Sequence, residues 1–276
     1  MIKKIVKNLI KRNILHYKWF ESPFWYPRAD VSELKKLKDK FKGKRCFIIG
    51  NGPSLNKIDL NMLKDEYTFG VNSIFIKYKT EGFKPTFYVV EDTHVMDDNT
   101  TDIDNFDTQY RFFPTMYKKY IKNKKNTYFF KMNLGFYASF SPYHEIPRFS
   151  VDASDQLYCG QSVTIINLQI AYYLGFSEIY LIGMDFNYEI PKSAVIDENT
   201  GSITSTEDDP NHFDGSYFGA GKKWHDPKLY NVLKSYQLCK VMYEIDNRII
   251  YNATVGGNLE IFKRKEFKSI FNTEKQ

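Results

Sequence analysis

The stretch RCFIIGNGPSL, residues 45–55, limits the fold more than any other part of the chain. A short apolar run ending in glycine reads as a buried strand, and the Gly/Pro turn behind it must change direction at once. DLNMLKDE (59–66) follows as a helix, opened by Asp59 as its N-cap. The same alternation recurs downstream. YTFGVNSI (67–74), PTFYVVED (85–92), YRFFP and NTYFFKM read as strands, and SVTIINLQIAYYLGF (162–176) as a helix stopped by Leu174-Gly175. EIYLIGMDF (178–186) is another buried strand, DPKLYNVLKSYQLCKVMYEIDN (226–247) a helix with Pro227 in its first turn, and RIIYNAT (248–254) a last strand. Strands alternating with helices of this length predict an α/β domain with a mostly parallel sheet flanked by helices.

Composition narrows what such a domain can be. The 276 residues are 42% hydrophobic and 26% charged, which excludes a disordered chain and leaves room for one large core. No run approaches the roughly 18 apolar residues of a membrane-spanning helix. Cys46, Cys159 and Cys239 lie far apart with no C-x-x-C pair, which argues against a disulfide framework or structural zinc and for a reducing compartment, the cytoplasm.

The net charge of +6 is unevenly placed. Residues 1–45 hold 14 Lys/Arg against 4 Asp/Glu, whereas the remainder holds 25 against 29. An acidic body offers no groove-sized basic surface, so nucleic acid is not an expected partner. Residues 1–44 read as a basic arm and 45–276 as the catalytic domain, with the polar, Gly/Ser-rich stretch 192–225 a lid-like insertion. In the arm, Ile2, Val6, Leu9 and Ile10 recur at helical spacing opposite Lys3, Lys4, Lys7, Lys11 and Arg12, with Trp19, Phe20, Phe24, Trp25 and Tyr26 behind. Such an amphipathic helix can lie in an anionic membrane surface through residues 1–26, at the inner face of the cytoplasmic membrane. The alternative is a helix packed on the domain with solvated lysines.

Candidate site residues gather at the strand ends, where ligands bind in open α/β sheets. In the turn after the first strand, Gly50 and Gly52 permit a close backbone approach, free amides favour a phosphate, and Asn51 and Ser54 add neutral hydrogen bonds. The turn matches neither G-x-G-x-x-G nor a Walker loop. Asn72, Glu91, Asp92 and Asp185 end further strands, and Gly160, Gln161 and Ser162 open the central helix. His212 and His225 flank the glycine-rich part of the insertion, where a histidine over the site could take a proton near neutral pH. No zinc-hydrolase spacing and no G-x-S-x-G turn is present.

GKRCFIIGNGPSL, FGVNSIF, KPTFYVVED, LGFSEIYLIGMDFNY, NHFDGSYFG and NATVGGNLEIFKR, in this order over residues 33–268, together resemble the bacterial branch of the family named after the archaeal 6-hydroxymethylpterin diphosphokinase. Many members resemble surface-polysaccharide or flagellin-glycosylation genes. The GNGPSL turn, Asn72 and LGFSEIYLIGMDF are also similar to the bacterial lipo-oligosaccharide sialyltransferases, Rossmann-like, metal-independent, inverting enzymes that use CMP-sialic acid. That similarity implies that Asn51 and Ser54 hold the donor phosphate and sugar, that Asn72 contacts the cytidine side, and that Tyr188 lies near the departing phosphate. It implies a catalytic histidine, corresponding to His212 or His225. Asn187 interrupts the expected Phe-Tyr pair, and Gly160-Gln161-Ser162 replaces the Thr-Ser-Gly before the central helix.

The resemblance thus implies a surface-glycan glycosyltransferase that uses a CMP-linked acidic sugar and a glycan or lipid-linked acceptor, with no cofactor. The family name implies an alternative, a diphosphokinase with Mg²⁺ held by Glu91, Asp92 and Asp185. A third reading is a non-catalytic protein of polysaccharide assembly.

Overall fold

The computed structural model describes residues 28–197 and 202–274. Strands β1 (Arg45–Ile49), β2 (Thr68–Val71), β3 (Phe87–Val89), β4 (Tyr110–Pro114) and β5 (Thr127–Phe130) run outward from the centre in chain order. β6 (Met132–Asn133) and β7 (Leu157–Tyr158) form a separate two-stranded pair. β8 (Glu178–Ile182) returns to pair with β1; β9 (Val195–Ile196), β10 (Ser202–Thr204) and β11 (Lys223–His225) make a small antiparallel sheet; β12 (Ile249–Asn252) and β13 (Lys263–Arg264) extend the main sheet beyond β8. The main sheet has the order β13-β12-β8-β1-β2-β3-β4-β5, and every pairing in it is parallel. This is the doubly wound, Rossmann-like α/β fold that the strand–helix alternation predicts.

Burial explains why the central strands read as continuous apolar runs. Cys46 and Ile48 enter one core, while Phe47 and Ile49 enter the other on the opposite face. The first core is filled by helix α4 (Val163–Tyr173), with α5 (Leu229–Ile245) beside it. Every residue of α4 is buried, so its surface is apolar nearly all round. It stops at Gly175, whose φ of +91° is the left-handed conformation glycine takes most easily. The second core packs under α2 (Phe75–Glu81) and α3 (Thr93–Asn105). The insertion contributes Ile203, Phe213, Tyr217, Phe218 and Trp224 to that same core. The described part of 192–225 is therefore a structural cover for one sheet face.

Several local expectations differ from what is observed. Residues 59–66 form only a 3₁₀ turn, Leu60–Leu63, with Asp59 capping the Asn61 amide. α5 begins after Lys228, which sits at φ +40°, so Pro227 lies before the helix rather than in its first turn. α3 has only Val95, Met96 and Ile103 buried, too sparse a stripe to stand out in sequence. Residues 30–44 belong to the body: helix α1 (Val31–Lys35) and the turns behind it bury Leu34, Leu37 and Phe41, and Phe41 stacks on Phe176 at 5.1 Å. The amphipathic segment 1–26 lies outside the described residues, as do residues 198–201 of the insertion. Among the described residues no helix is long and apolar enough to cross a membrane, and all three cysteines are free and buried.

Candidate functional site

The chain winds outward from β1 in one direction and from β8 in the other, so the strand order reverses between them. A crevice opens there beyond the carboxyl ends of the strands. It is a cleft of about 700 Å³, lined by the turn after β1, the ends of β2, β3 and β8, the start of α4 and the insertion. Of the residues expected at the site, Gly50, Asn51, Gly52, Asn72, Glu91, Asp92, Gln161, Ser162, Asp185, Tyr188, His212 and His225 line this cleft. Ser54 and Gly160 do not.

The glycine turn is shaped by the protein itself. A Cβ on Gly52 would overlap the Asp185 carboxylate, and one on Gly50 would overlap the Gly183 carbonyl. Asp185 accepts from the Ser54 hydroxyl at 2.7 Å and from the Ser54 amide at 3.2 Å. The Gly50 and Gly52 amides donate to Ile182 and Gly183, and the Leu55 amide to Gly52. The Gly50, Gly52, Ser54 and Leu55 amides, expected here to be free for a phosphate, are thus taken up within the protein, and Ser54, only 1% exposed, does not line the cleft. This corrects both the role of Ser54 as a phosphate or sugar ligand and that of Asp185 as an open carboxylate.

A different anion position presents itself at α4. Ser162 caps the helix, accepting from the Thr164 amide at 3.3 Å. Among the described residues, the Gln161, Ser162 and Val163 amides, at the positive end of this 11-residue helix, donate to no backbone carbonyl. Gln161 stands at φ +72°, and Asn72, Phe186 and Lys228 around the same cleft are also left-handed, at +47°, +55° and +40°. Such conformations are costly and concentrate where a side chain or amide must face a ligand.

Asn51 is 7% exposed; its Nδ2 donates to the Val71 carbonyl at 3.1 Å and to the Tyr217 hydroxyl at 2.9 Å. Because the Val71 carbonyl can only accept, the amide orientation is fixed. Oδ1 is left as a buried acceptor with no partner among the described residues.

The two candidate histidines differ sharply. Nδ1–H of His212 donates to Asp209 Oδ2 at 2.6 Å. Asp209 is itself fixed by the amides of Asn211 at 2.8 Å and Phe218 at 3.1 Å. A carboxylate on Nδ1 leaves Nε2 as the basic nitrogen, the arrangement a general base needs. His225 instead stacks on His94 at 4.3 Å, and burial, aided by His94 and opposed by Asp92, lowers its pKa. Sequence reasoning missed Asp209 and Tyr217. The turn Asp209-Pro210-Asn211-His212, an acidic side chain three residues before a histidine, is the signal that could have found the first. Tyr188 meets His212 edge-on at 5.7 Å, and burial holds its phenol pKa well above the ordinary value, so it stays a hydrogen-bond donor.

Glu91 accepts from the Tyr137 hydroxyl at 2.9 Å. Burial and then the Asp92 charge push its pKa up to about 7, against the Tyr137 bond that lowers it. A carboxyl whose folded pKa lies above its unfolded value leaves stability complete below the unfolded value, near 4.5, and lost as pH rises through about 7. Glu91→Gln should therefore raise the melting temperature at pH 8 and leave it nearly unchanged at pH 4.5. An equal shift at both pH values would contradict this.

Asp92 caps α3 through the Val95 amide at 3.0 Å, and Asp185 is held by Ser54. Among the described residues no three His, Cys, Asp or Glu side chains come together in a metal-holding group. Of the Glu91, Asp92 and Asp185 set that the diphosphokinase alternative draws on for magnesium, Asp92 and Asp185 are thus already engaged by backbone and side-chain donors of the protein.

A search of curated proteins returned no match. The solved structure of the MAf glycosyltransferase from Magnetospirillum magneticum AMB-1 is similar at 15% identity and a TM-score of 0.48, over 87% of this chain and 39% of that one. The chain thus spans about two fifths of that protein's length. The family model described as 6-hydroxymethylpterin diphosphokinase MptE-like matches residues 26–191, which include the glycine turn, Asn72, the start of α4 and the end of β8. With that match covering more than half of its length, the chain belongs to the MptE-like family.

Proposed function

We propose that the protein is a glycosyltransferase of surface-glycan biosynthesis, moving an acidic sugar such as sialic acid from a CMP-linked donor to an acceptor hydroxyl with inversion. The observation that carries this reading is the His212–Asp209 pair on the wall of a switch-point cleft. In the proposed step, Nε2 of His212 takes the proton of the acceptor hydroxyl. The freed oxygen attacks the anomeric carbon from the face opposite the nucleotide, and the bond from that carbon to the phosphate oxygen breaks. CMP departs with its phosphate at the amino end of α4, where the Gln161, Ser162 and Val163 amides and the Tyr188 hydroxyl can donate. Asn51 and Asn72 position the nucleotide across the ends of β1 and β2.

The choice of a monophosphate follows from charge. Among the described residues, Lys228 is the one lysine or arginine that lines the cleft, and Glu145 pairs with it at 3.1 Å. Neutral donors suit one phosphate better than two. The acidic character of the sugar rests on the resemblance of the motifs. In this proposal residues 1–26 hold the enzyme at the inner membrane face beside a lipid-linked or glycan acceptor; loss of binding to anionic vesicles on their deletion is the test.

Titration with CMP, UDP and ATP, each with Mg²⁺ or with EDTA, tests the main reading. CMP should raise the melting temperature equally in both, since a ligand specific for the folded form stabilises by mass action. Stabilisation by Mg²⁺–ATP alone would favour phosphotransfer and sink the glycosyltransferase.

A further inference from the structure

We infer that Tyr217 is a positioning residue that holds the His212 imidazole in place over the cleft, stabilises its protonated form with the face of its ring, and ties it to the donor turn through Asn51. This rests on the reading of His212 as the base. The ring of Tyr217 lies parallel to the imidazole, with centroids 3.9 Å apart and planes 5° from parallel. Asp209 grips one edge of that imidazole at 2.6 Å, and Phe218 and Tyr188 meet it edge-on at 5.2 and 5.7 Å. These groups leave the imidazole little freedom to rotate. Among the described residues, the charged group in contact with it is Asp209, and the phenols are Tyr217 and Tyr188.

The other end of Tyr217 reaches the sheet. Its hydroxyl oxygen accepts from Asn51 Nδ2 at 2.9 Å and from the Ser73 amide at 3.4 Å. Burial raises the phenol pKa, so the group stays neutral. Both lone pairs of the oxygen are engaged, at the tips of β1 and β2, while the ring lies beneath the base. Tyr217 thus spans from the turn after β1 to the insertion.

The chemistry that follows is specific. When Nε2 takes a proton from a hydroxyl, the imidazole becomes a cation between the Asp209 carboxylate and an electron-rich aromatic face. A cation over such a face is stabilised by the ring quadrupole, which shifts the protonation equilibrium by several-fold to tenfold. A wholly structural tyrosine would leave that equilibrium alone once the fold is intact.

The test is an NMR titration of His212 in the full chain, which needs no substrate. Tyr217→Phe keeps the ring and should leave the His212 midpoint within about 0.2 pH units, while Tyr217→Leu should lower it by about half to one unit. Placing pentafluorophenylalanine at 217 preserves the shape of the Phe variant but reverses the ring quadrupole. It should lower the midpoint relative to Phe, and so decides the matter even if the leucine variant fails to fold. An unchanged midpoint with the fluorinated ring would overturn the proposal. So would a Phe variant that shifts as far as Leu. CMP binding in these variants is a separate readout: its absence in the unaltered protein would count against the donor assignment and leave the Tyr217 measurement standing.

Discussion

His212→Ala should lower the proposed sugar transfer by about a thousandfold, within the range expected when a positioned general base is removed. The variant should still bind CMP within about twofold of the unaltered protein, because in the proposed step the imidazole meets the acceptor hydroxyl and not the nucleotide. The loss then falls on kcat rather than on donor affinity. His225→Ala should cost less than tenfold. His225 stacks on His94, and burial lowers its pKa against the charge of Asp92, which leaves it a weaker proton acceptor. Transfer measured as acidic sugar on the surface glycan of cells carrying each variant gives the comparison. Equal losses for the two histidines would remove the basis for choosing between them. An active His212→Ala would rule out this histidine as the base.

The second large effect is on stability. Gly52→Ala sets a methyl group against the Asp185 carboxylate and 2.8 Å from the Gly183 carbonyl. Relief requires Asp185 to leave the Ser54 amide and hydroxyl, which combines an overpacking cost with the loss of charge-assisted hydrogen bonds. We expect a loss of about 3 kcal/mol, read as a melting temperature lower by roughly 6–12 °C for a chain of this size. Coupling to Asp185 distinguishes this cause from ordinary turn strain. In Asp185→Ala the carboxylate is gone, so adding Gly52→Ala should cost clearly less than it does alone. Strict additivity of the two changes would contradict the proposed contact.

Much of the frame was legible because the central elements are buried on all sides. β1, β8 and α4 are apolar runs bounded by glycine, and such runs have few alternatives in a chain with this alternation. What escaped depends on distant partners. α3 is a polar helix held by the Asp92 cap and three apolar side chains. The insertion looked like a loop because its apolar residues are scattered among glycines, aspartates and serines. Only when folded do Phe213, Tyr217, Phe218 and Trp224 meet on the sheet face.

The site divides in the same way. The strand-end rule places Asn51, Asn72, Glu91 and Asp92 around one cleft from sequence alone. It could not tell that Asp185 turns back onto Ser54, because that contact joins residues 131 positions apart. Nor could it separate His212 from His225. The choice rests on Asp209 and on a ring from the same insertion, whose turn geometry sequence periodicity does not encode.

Hydrogen exchange of the backbone amides in the presence of CMP tests the central claim most directly. If the switch-point cleft holds the nucleotide, protection should rise at residues 50–52, at 71–72 and at 161–164, with EDTA present and with the sheet edge at β5 unaffected. Protection confined to other surfaces, or none at saturating CMP, would contradict the account.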